Sequence, residues 1–219
     1  MRANMKIFLT LLSCAFFLLI AWIAWEKKPV ADNSYVWHGS ITPEKMAEFR
    51  DELKKRSNLA GIEFRQSPGA GGSAGILITE LERHIKDRKL ATYARGLCAS
   101  ACADAFLHGT TRTMYPSYMG LPTRLALHPV THQGERNSGL TDVLNRRIVA
   151  SSGGKFPLEL LDRMYDISGP AGMLYIYPSR QKTSRGTAYV VLCRSDEKPS
   201  QCEPIPGFTP NSLGIQVAR

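Results

Sequence analysis

Between Ser34 and Leu107 the chain alternates strand-like and helix-like stretches, and this limits the folds open to it more than any other feature. Ser34–Ser40 (SYVWHGS) has the pattern of a strand ending at Gly39. Thr42 then caps a helix that begins at Pro43 and runs to Arg56, with Met46, Phe49 and Leu53 at helical spacing on its apolar side. Gly61–Arg65 reads as a second strand. A glycine-rich loop over 67–75 leads into a helix with Ile76, Leu77, Leu81 and Ile85 turned inward. Leu90–Arg95 is a third strand, and Ala101–Leu107 a third helix. Such repetition predicts an α/β domain of parallel βαβ units, with ligand sites at the carboxyl ends of the strands.

One of those ends carries a single hydroxyl among small residues, in the run Gly96-Leu97-Cys98-Ala99-Ser100-Ala101-Cys102-Ala103. A serine at a strand-to-helix junction is often a helix N-cap. It can equally be a nucleophile, because unpaired N–H groups at the helix start stabilise an oxyanion and small neighbours admit a substrate carbonyl. The run alone favours the cap. The glycine loop has neither the Gly-Lys-Ser/Thr ending of a phosphate-binding loop nor the spacing of a dinucleotide site. It is either a turn for close packing or half of an oxyanion hole.

Ahead of this domain, residues 7–25 (IFLTLLSCAFFLLIAWIAW) carry no charge. Their length matches the roughly 20 apolar residues needed to cross a bilayer. No A-x-A cleavage pattern follows, and the apolar stretch runs well past Cys14, so an uncleaved signal anchor is preferred over a cleaved signal or a lipoprotein signal. The expected organisation is therefore an anchor over 1–28, a linker over 29–33 and an α/β domain over 34–219. The short leader places the domain outside the cytoplasm, in the periplasm or on the cell exterior. The net charge of +9 is spread along the chain and is not interleaved with aromatics in any stretch. It suits a surface near anionic lipid, and no nucleic-acid partner is expected.

Four cysteines lie outside the anchor, an even number that suggests disulfides in an exported domain. Cys193 and Cys202 flank a polar, turn-rich stretch that a bridge would close. Cys98 and Cys102 stand four apart, close enough on a helix for a bridge, although a bridge within one helical turn is uncommon. No second ligand pair stands at a zinc-like spacing, so no metal is assigned to these cysteines.

Three blocks carry a resemblance to a known family. Ser67-Pro68-Gly69 through Ala74-Gly75 resembles the S-P-G-G-S-x-x-A-G loop of the Clp protease proteolytic subunit (ClpP) and the wider ClpP/crotonase group. Cys98-Ala99-Ser100-Ala101-Cys102-Ala103 is similar to its nucleophile segment, and Leu127-His128-Pro129 to the segment supplying its general base. The likeness spans about Tyr35 to Val130 and is strongest to exported, membrane-anchored bacterial ClpP-like proteins. It implies a ClpP/crotonase-like spiral of βαβ units, no cofactor, a peptide or protein substrate, homo-oligomers and a place in the bacterial inner membrane.

Carried over residue by residue, the resemblance makes Ser100 the nucleophile, His128 its base and the Gly69 and Ala101 N–H groups the oxyanion hole. His132 is the rival base. The family's acid position aligns with Met164, between Asp162 and Asp166 and just before a Ser168-Gly169-Pro170 turn. Those two aspartates point to different sides of a helix, so only one can serve, and Asp166 is preferred. Ala70 replaces a usual glycine. The expected function is thus a membrane-anchored serine peptidase with an acyl-enzyme mechanism. The alternative is a catalytically impaired ClpP-like fold that binds peptides or assembles at the membrane. A crotonase-type acyl-CoA enzyme fits an exported domain poorly.

Overall fold

The computed structural model describes residues 29–70, 74–167, 172–194 and 197–218. The expected membrane segment, residues 71–73 of the glycine loop and the Ser168-Gly169-Pro170 turn lie outside the described residues. Among the described residues no helix is long and apolar enough to cross a membrane.

The expected alternation is present and fixes a mixed α/β architecture. β1 (Ser34–His38), α1 (Pro43–Lys55), β2 (Gly61–Ser67), α2 (Ala74–Asp87), β3 (Ala91–Ala99) and α3 (Ala101–Leu107) follow one another. Local chemistry sets the bounds of α1. Thr42 Oγ1 accepts from the Lys45 N–H at 3.3 Å, Pro43 opens the first turn, and Met46, Phe49 and Leu53 are buried. In α2, Leu77, Ile78, Leu81 and Ile85 are buried, but Ile76 is 77 % exposed. Ile76 lies about 100° round the helix from Leu77 and so misses the stripe that faces the core.

β1, β2 and β3 are parallel neighbours. β3 does not stop at Arg95 as the sequence suggested. Its first half pairs with β4 (Arg112–Met114), and its second half pairs with β7 (Arg124–Leu127), also in parallel. Gly96 sits between the two halves in the left-handed region, with φ +75° and its N–H donated to Thr123 Oγ1 at 2.8 Å. This kink lets one strand serve two partners. Between β4 and β7 lies a small hairpin of β5 (Ser117–Tyr118) and β6 (Leu121–Pro122). A second hairpin, β8 (Thr131–His132) with β9 (Glu135–Arg136), leads into α4 (Ser138–Ser151) and α5 (Leu158–Asp162).

β10 (Gly172–Thr183) returns antiparallel to β7, β11 (Gly186–Arg194) to β10, and β12 (Glu203–Ile205) to β11. With β13 (Gln216–Val217) on β4, the described residues form a nine-stranded sheet, parallel on one side and antiparallel on the other. Its larger core packs α1, α2 and α3 against the sheet, with Trp37 of β1, Phe64 of β2 and Phe106 of α3 all fully buried. Side chains such as these stabilise by about 2 kcal/mol each. A second cluster on the opposite face joins Tyr175, Tyr177 and Val191 to a disulfide between Cys193 and Cys202. Closing that short loop contributes about 2–3 kcal/mol in the chain-entropy account.

Candidate active site

Three adjacent parallel strands end together. Register pairs Ser67 of β2 with Cys98 of β3, and Ala99 of β3 with Ala126 of β7. Gly69, Ser100 and His128, each one or two residues beyond those pairs, therefore emerge at one edge of the sheet. Neighbouring strands lie about 4.8 Å apart, so Ser100 at the end of the middle strand stands one strand spacing from Gly69 on one side and from His128 on the other. Sequence supplied each residue, and parallel pairing brings them together.

Ser100 is not a conventional cap. Its backbone has φ 54° and ψ −125°, and its hydroxyl makes no capping hydrogen bond. For a residue with a Cβ this conformation costs about 1–3 kcal/mol and persists only where the surroundings enforce it. Here the Ser100 N–H donates to the Ala126 carbonyl at 2.7 Å, and the Ser100 carbonyl accepts from the Asp104 N–H at 3.0 Å. A disulfide between Cys98 and Cys102 straddles the turn, with Cα atoms 5.2 Å apart. Cys98 belongs to β3 and Cys102 to α3, so this bridge joins strand to helix and is not confined to one helical turn.

Gly69 packs directly against the serine. A Cβ on it would stand 2.7 Å from both the Ala99 carbonyl oxygen and the Ser100 Cβ, at φ +102°. Only glycine allows this approach. The Gly69 carbonyl accepts from the Ile41 N–H at 2.8 Å. Ala101, the first residue of α3, has an N–H among those that lack an intrahelical acceptor.

Ser100 and His128 line one cavity of about 270 Å³. Its walls are largely apolar, with Ile78, Leu127, Leu144, Ile148 and Met164 among them. No hydrogen bond joins the serine hydroxyl to the imidazole. Instead His128 Nδ1 lies 2.8 Å from the Pro129 carbonyl oxygen. A carbonyl can only accept, so Nδ1 carries a proton, and in the neutral ring the lone pair is then on Nε2. That is the tautomer a general base requires.

The acid is placed differently. Asp162 and Asp166 are exposed and neither lines the cavity, whereas Met164 does. Asp166, with its side chain 51 % exposed, pairs with Arg163, which also reaches Glu203 Oε1 at 2.9 Å. Those two carboxylates hold the Arg163 pKa above its usual value against the opposing effect of burial, the Asp166 hydrogen bond being the largest influence. The side chain of His132 lies outside the described part of the structure. Asp104 and Asn145, both buried, line the cavity as well. Asp104 was legible in one respect: it stands four residues from both Ser100 and His108 in an otherwise apolar helix.

A scan against protein-family models and a search of curated proteins find no match to this chain.

Proposed function

We propose that the cavity is the active site of a serine hydrolase that cleaves peptide or protein substrates, built on a ClpP/crotonase-like fold and tethered to the bacterial inner membrane by residues 7–25. The observation that carries this reading is the conformation of Ser100, a strained strand-to-helix turn whose hydroxyl makes no capping hydrogen bond and stands beside an apolar cavity. Active-site nucleophiles are held in such turns because the strain exposes the oxygen. The two disulfides support an oxidising compartment for the domain.

In this mechanism Ser100 Oγ attacks the scissile carbonyl carbon while His128 Nε2 takes its proton. The Gly69 and Ala101 N–H groups receive the developing oxyanion. The imidazolium then protonates the leaving amine, and water repeats the sequence on the acyl-serine. The Pro129 carbonyl holds the imidazole in the required tautomer in place of an aspartate. A carbonyl carries only a partial charge, so it stabilises the imidazolium less than a carboxylate would, and slow turnover is expected.

The full chain in detergent should be labelled by a fluorophosphonate probe at Ser100. Labelling should vanish in Ser100→Ala and fall about 10²–10⁴-fold in His128→Ala, the usual contribution of a general base. The second reading, a peptide-binding or assembly module at the membrane, draws on Met164 at the acid position and on the unlinked Ser100 and His128. A folded sample that resists labelling across neutral pH selects it.

A further inference from the structure

Asp104, which lines the Ser100 cavity, is also part of a cluster of three ionisable side chains that converge in the core: Glu82 from α2, and Asp104 and His108 from α3 and its C-terminal end. Their ligand atoms all lie within 4.8 Å of one another. His108 Nε2 is 3.7 Å from Glu82 Oε2 and 3.6 Å from Asp104 Oδ2. Asp104 is 5 % exposed and His108 3 %. Among the described residues, both oxygens of Asp104 and the Nε2 of His108 have no hydrogen-bond partner.

Buried polar groups left in this state cost several kcal/mol, and a carboxylate more, unless something completes them. Lys86 and Arg147 do not complete the cluster, because both reach only Glu82; Lys86 binds Oε1, and Arg147 stands 3.3 Å from Oε2. For Glu82 burial is the largest effect and raises the pKa. The Lys86 hydrogen bond and the surrounding positive charge outweigh it and hold the carboxyl below its ordinary value. Among the described residues Asp104 has no cationic partner except the imidazole.

A proton fills the gap poorly. Carried on Nε2 it faces oxygens at 3.6 and 3.7 Å, well beyond the roughly 2.7–2.9 Å of a charge-assisted hydrogen bond. Carried on Nδ1 it is shared with Ser151 Oγ at 2.6 Å, and the Nε2 lone pair then points at two carboxylates. The second arrangement repels unless a cation lies between. A tetrahedral ion with bonds of about 2.0–2.2 Å separates its ligand atoms by about 3.4 Å, close to the 3.7 and 3.6 Å between the imidazole and the two carboxylates.

We propose that Glu82, Asp104 and His108 bind one divalent transition-metal ion of the zinc class, with water in the fourth position. One imidazole and two carboxylates suit zinc, cobalt or manganese better than the all-oxygen sets of calcium and magnesium. Ser151 is the positioning residue, fixing the imidazole through Nδ1 as outer-shell partners of metal-bound histidines do. The ion would clamp α2 to the far end of the helix that starts at Ser100. Arg147, whose side chain is 40 % exposed, has room to withdraw from Glu82 as the ion enters.

The test uses the full, tag-free chain in detergent after chelator treatment. Calorimetry with Zn²⁺ should show one ion per chain, and Co²⁺ should give the visible d–d bands of a four-coordinate site. Absence of a sulfur-to-cobalt charge-transfer band excludes Cys14 as a ligand. Asp104→Asn and His108→Gln should each weaken Zn²⁺ binding more than tenfold, and Ser151→Ala about tenfold. The proposal is overturned if the wild-type chain gives neither Zn²⁺ heat nor Co²⁺ bands, a result that needs no variant to fold. Unchanged Zn²⁺ binding in a folded Asp104→Asn or His108→Gln chain overturns it too, as does equally tight binding of Mg²⁺.

Discussion

Replacing Ser100 by glycine and by alanine separates backbone strain from capping. Alanine keeps the Cβ, and so the strain, and removes a hydroxyl that makes no capping hydrogen bond. Its stability should stay within about 0.5 kcal/mol of wild type, as for a substitution that loses no contact. Glycine relieves about 1–3 kcal/mol of strain at φ 54° and loses about 0.5–1 kcal/mol through the greater freedom of its unfolded chain. The balance is a gain of about 1 kcal/mol, or about 2–4 °C in melting temperature for a domain of this size. Both variants should be unreactive to the fluorophosphonate. The assay is thermal and urea unfolding of the oxidised chain, with the wild type alongside. An ordinary cap predicts a different order, because alanine would cost about 1 kcal/mol and glycine a few tenths, both below wild type. A Ser100→Gly chain less stable than wild type would therefore refute the strained-turn reading, and the proposed nucleophile would lose its main support.

Gly69→Ala should destabilise by about 2–4 kcal/mol, since its Cβ meets Ala99 O and Ser100 Cβ at 2.7 Å in a left-handed backbone. Gly75→Ala is the control: nothing lies within 4 Å of its Cβ, and as a helical residue it should stabilise by up to about 1 kcal/mol. Equal melting temperatures for the two variants would show that Gly69 does not crowd the serine. At alkaline pH, Tyr35 and Tyr165 both titrate late, pushed up to about 12. Burial is the larger cause for each, aided by Glu48 and Glu52 for Tyr35 and by the Asp142 hydrogen bond for Tyr165. The folded state favours the neutral phenols, so stability is full below pH 10.0 and falls as pH rises through that value toward about 12. Melting curves against pH should show this slope in wild type and a shallower one in a Tyr35→Phe/Tyr165→Phe chain; an unchanged slope would count against the assignment.

The parallel half of the fold was legible because each element carries its own local signals. Thr42-Pro43 starts α1, and α3 has the bounds its sequence pattern implied. The errors arise where tertiary pairing overrides local pattern. The sequence pattern ended the third strand at Arg95, yet Gly96 and its small neighbours continue β3, because Thr123 takes the Gly96 N–H and β7 takes the rest of the strand. That misplacement is also why the Cys98–Cys102 bridge looked like an intrahelical one. Ser100, Gly69 and His128 were found as motif residues, and their meeting depends on strand register, which no short motif encodes. Asp166 was preferred of the two acids that flank Met164, the position aligned with the family's acid. Its side chain follows the local ion pair with Arg163 instead, and such exposed pairs form wherever the spacing permits. The Glu82, Asp104 and His108 cluster joins residues from two helices, and sequence offered only the Asp104-to-His108 half of it.

The helix after Ser100 is too short to hold a strained residue by itself. Seven residues contain few internal hydrogen bonds, and isolated helices of that length are not stable in water. Its position is set from outside at both ends. At the start the Cys98–Cys102 bridge and the Ser100-to-Ala126 hydrogen bond tie it to β3 and β7. At the end His108 meets Ser151 of α4, and with Asp104 faces Glu82 of α2. Arg112 adds a contact there, donating to the Leu107 carbonyl at 3.2 Å. A strain of about 1–3 kcal/mol survives only if relaxing it would break contacts worth more than that. Damage at the far end of α3 should therefore reach the serine: as the helix slips, φ at Ser100 relaxes and the hydroxyl turns toward a capping position. On this argument the buried cluster and the bridge are two halves of one support, so on heating, the fluorophosphonate labelling proposed for Ser100 should be lost at a lower temperature than the one at which the domain unfolds.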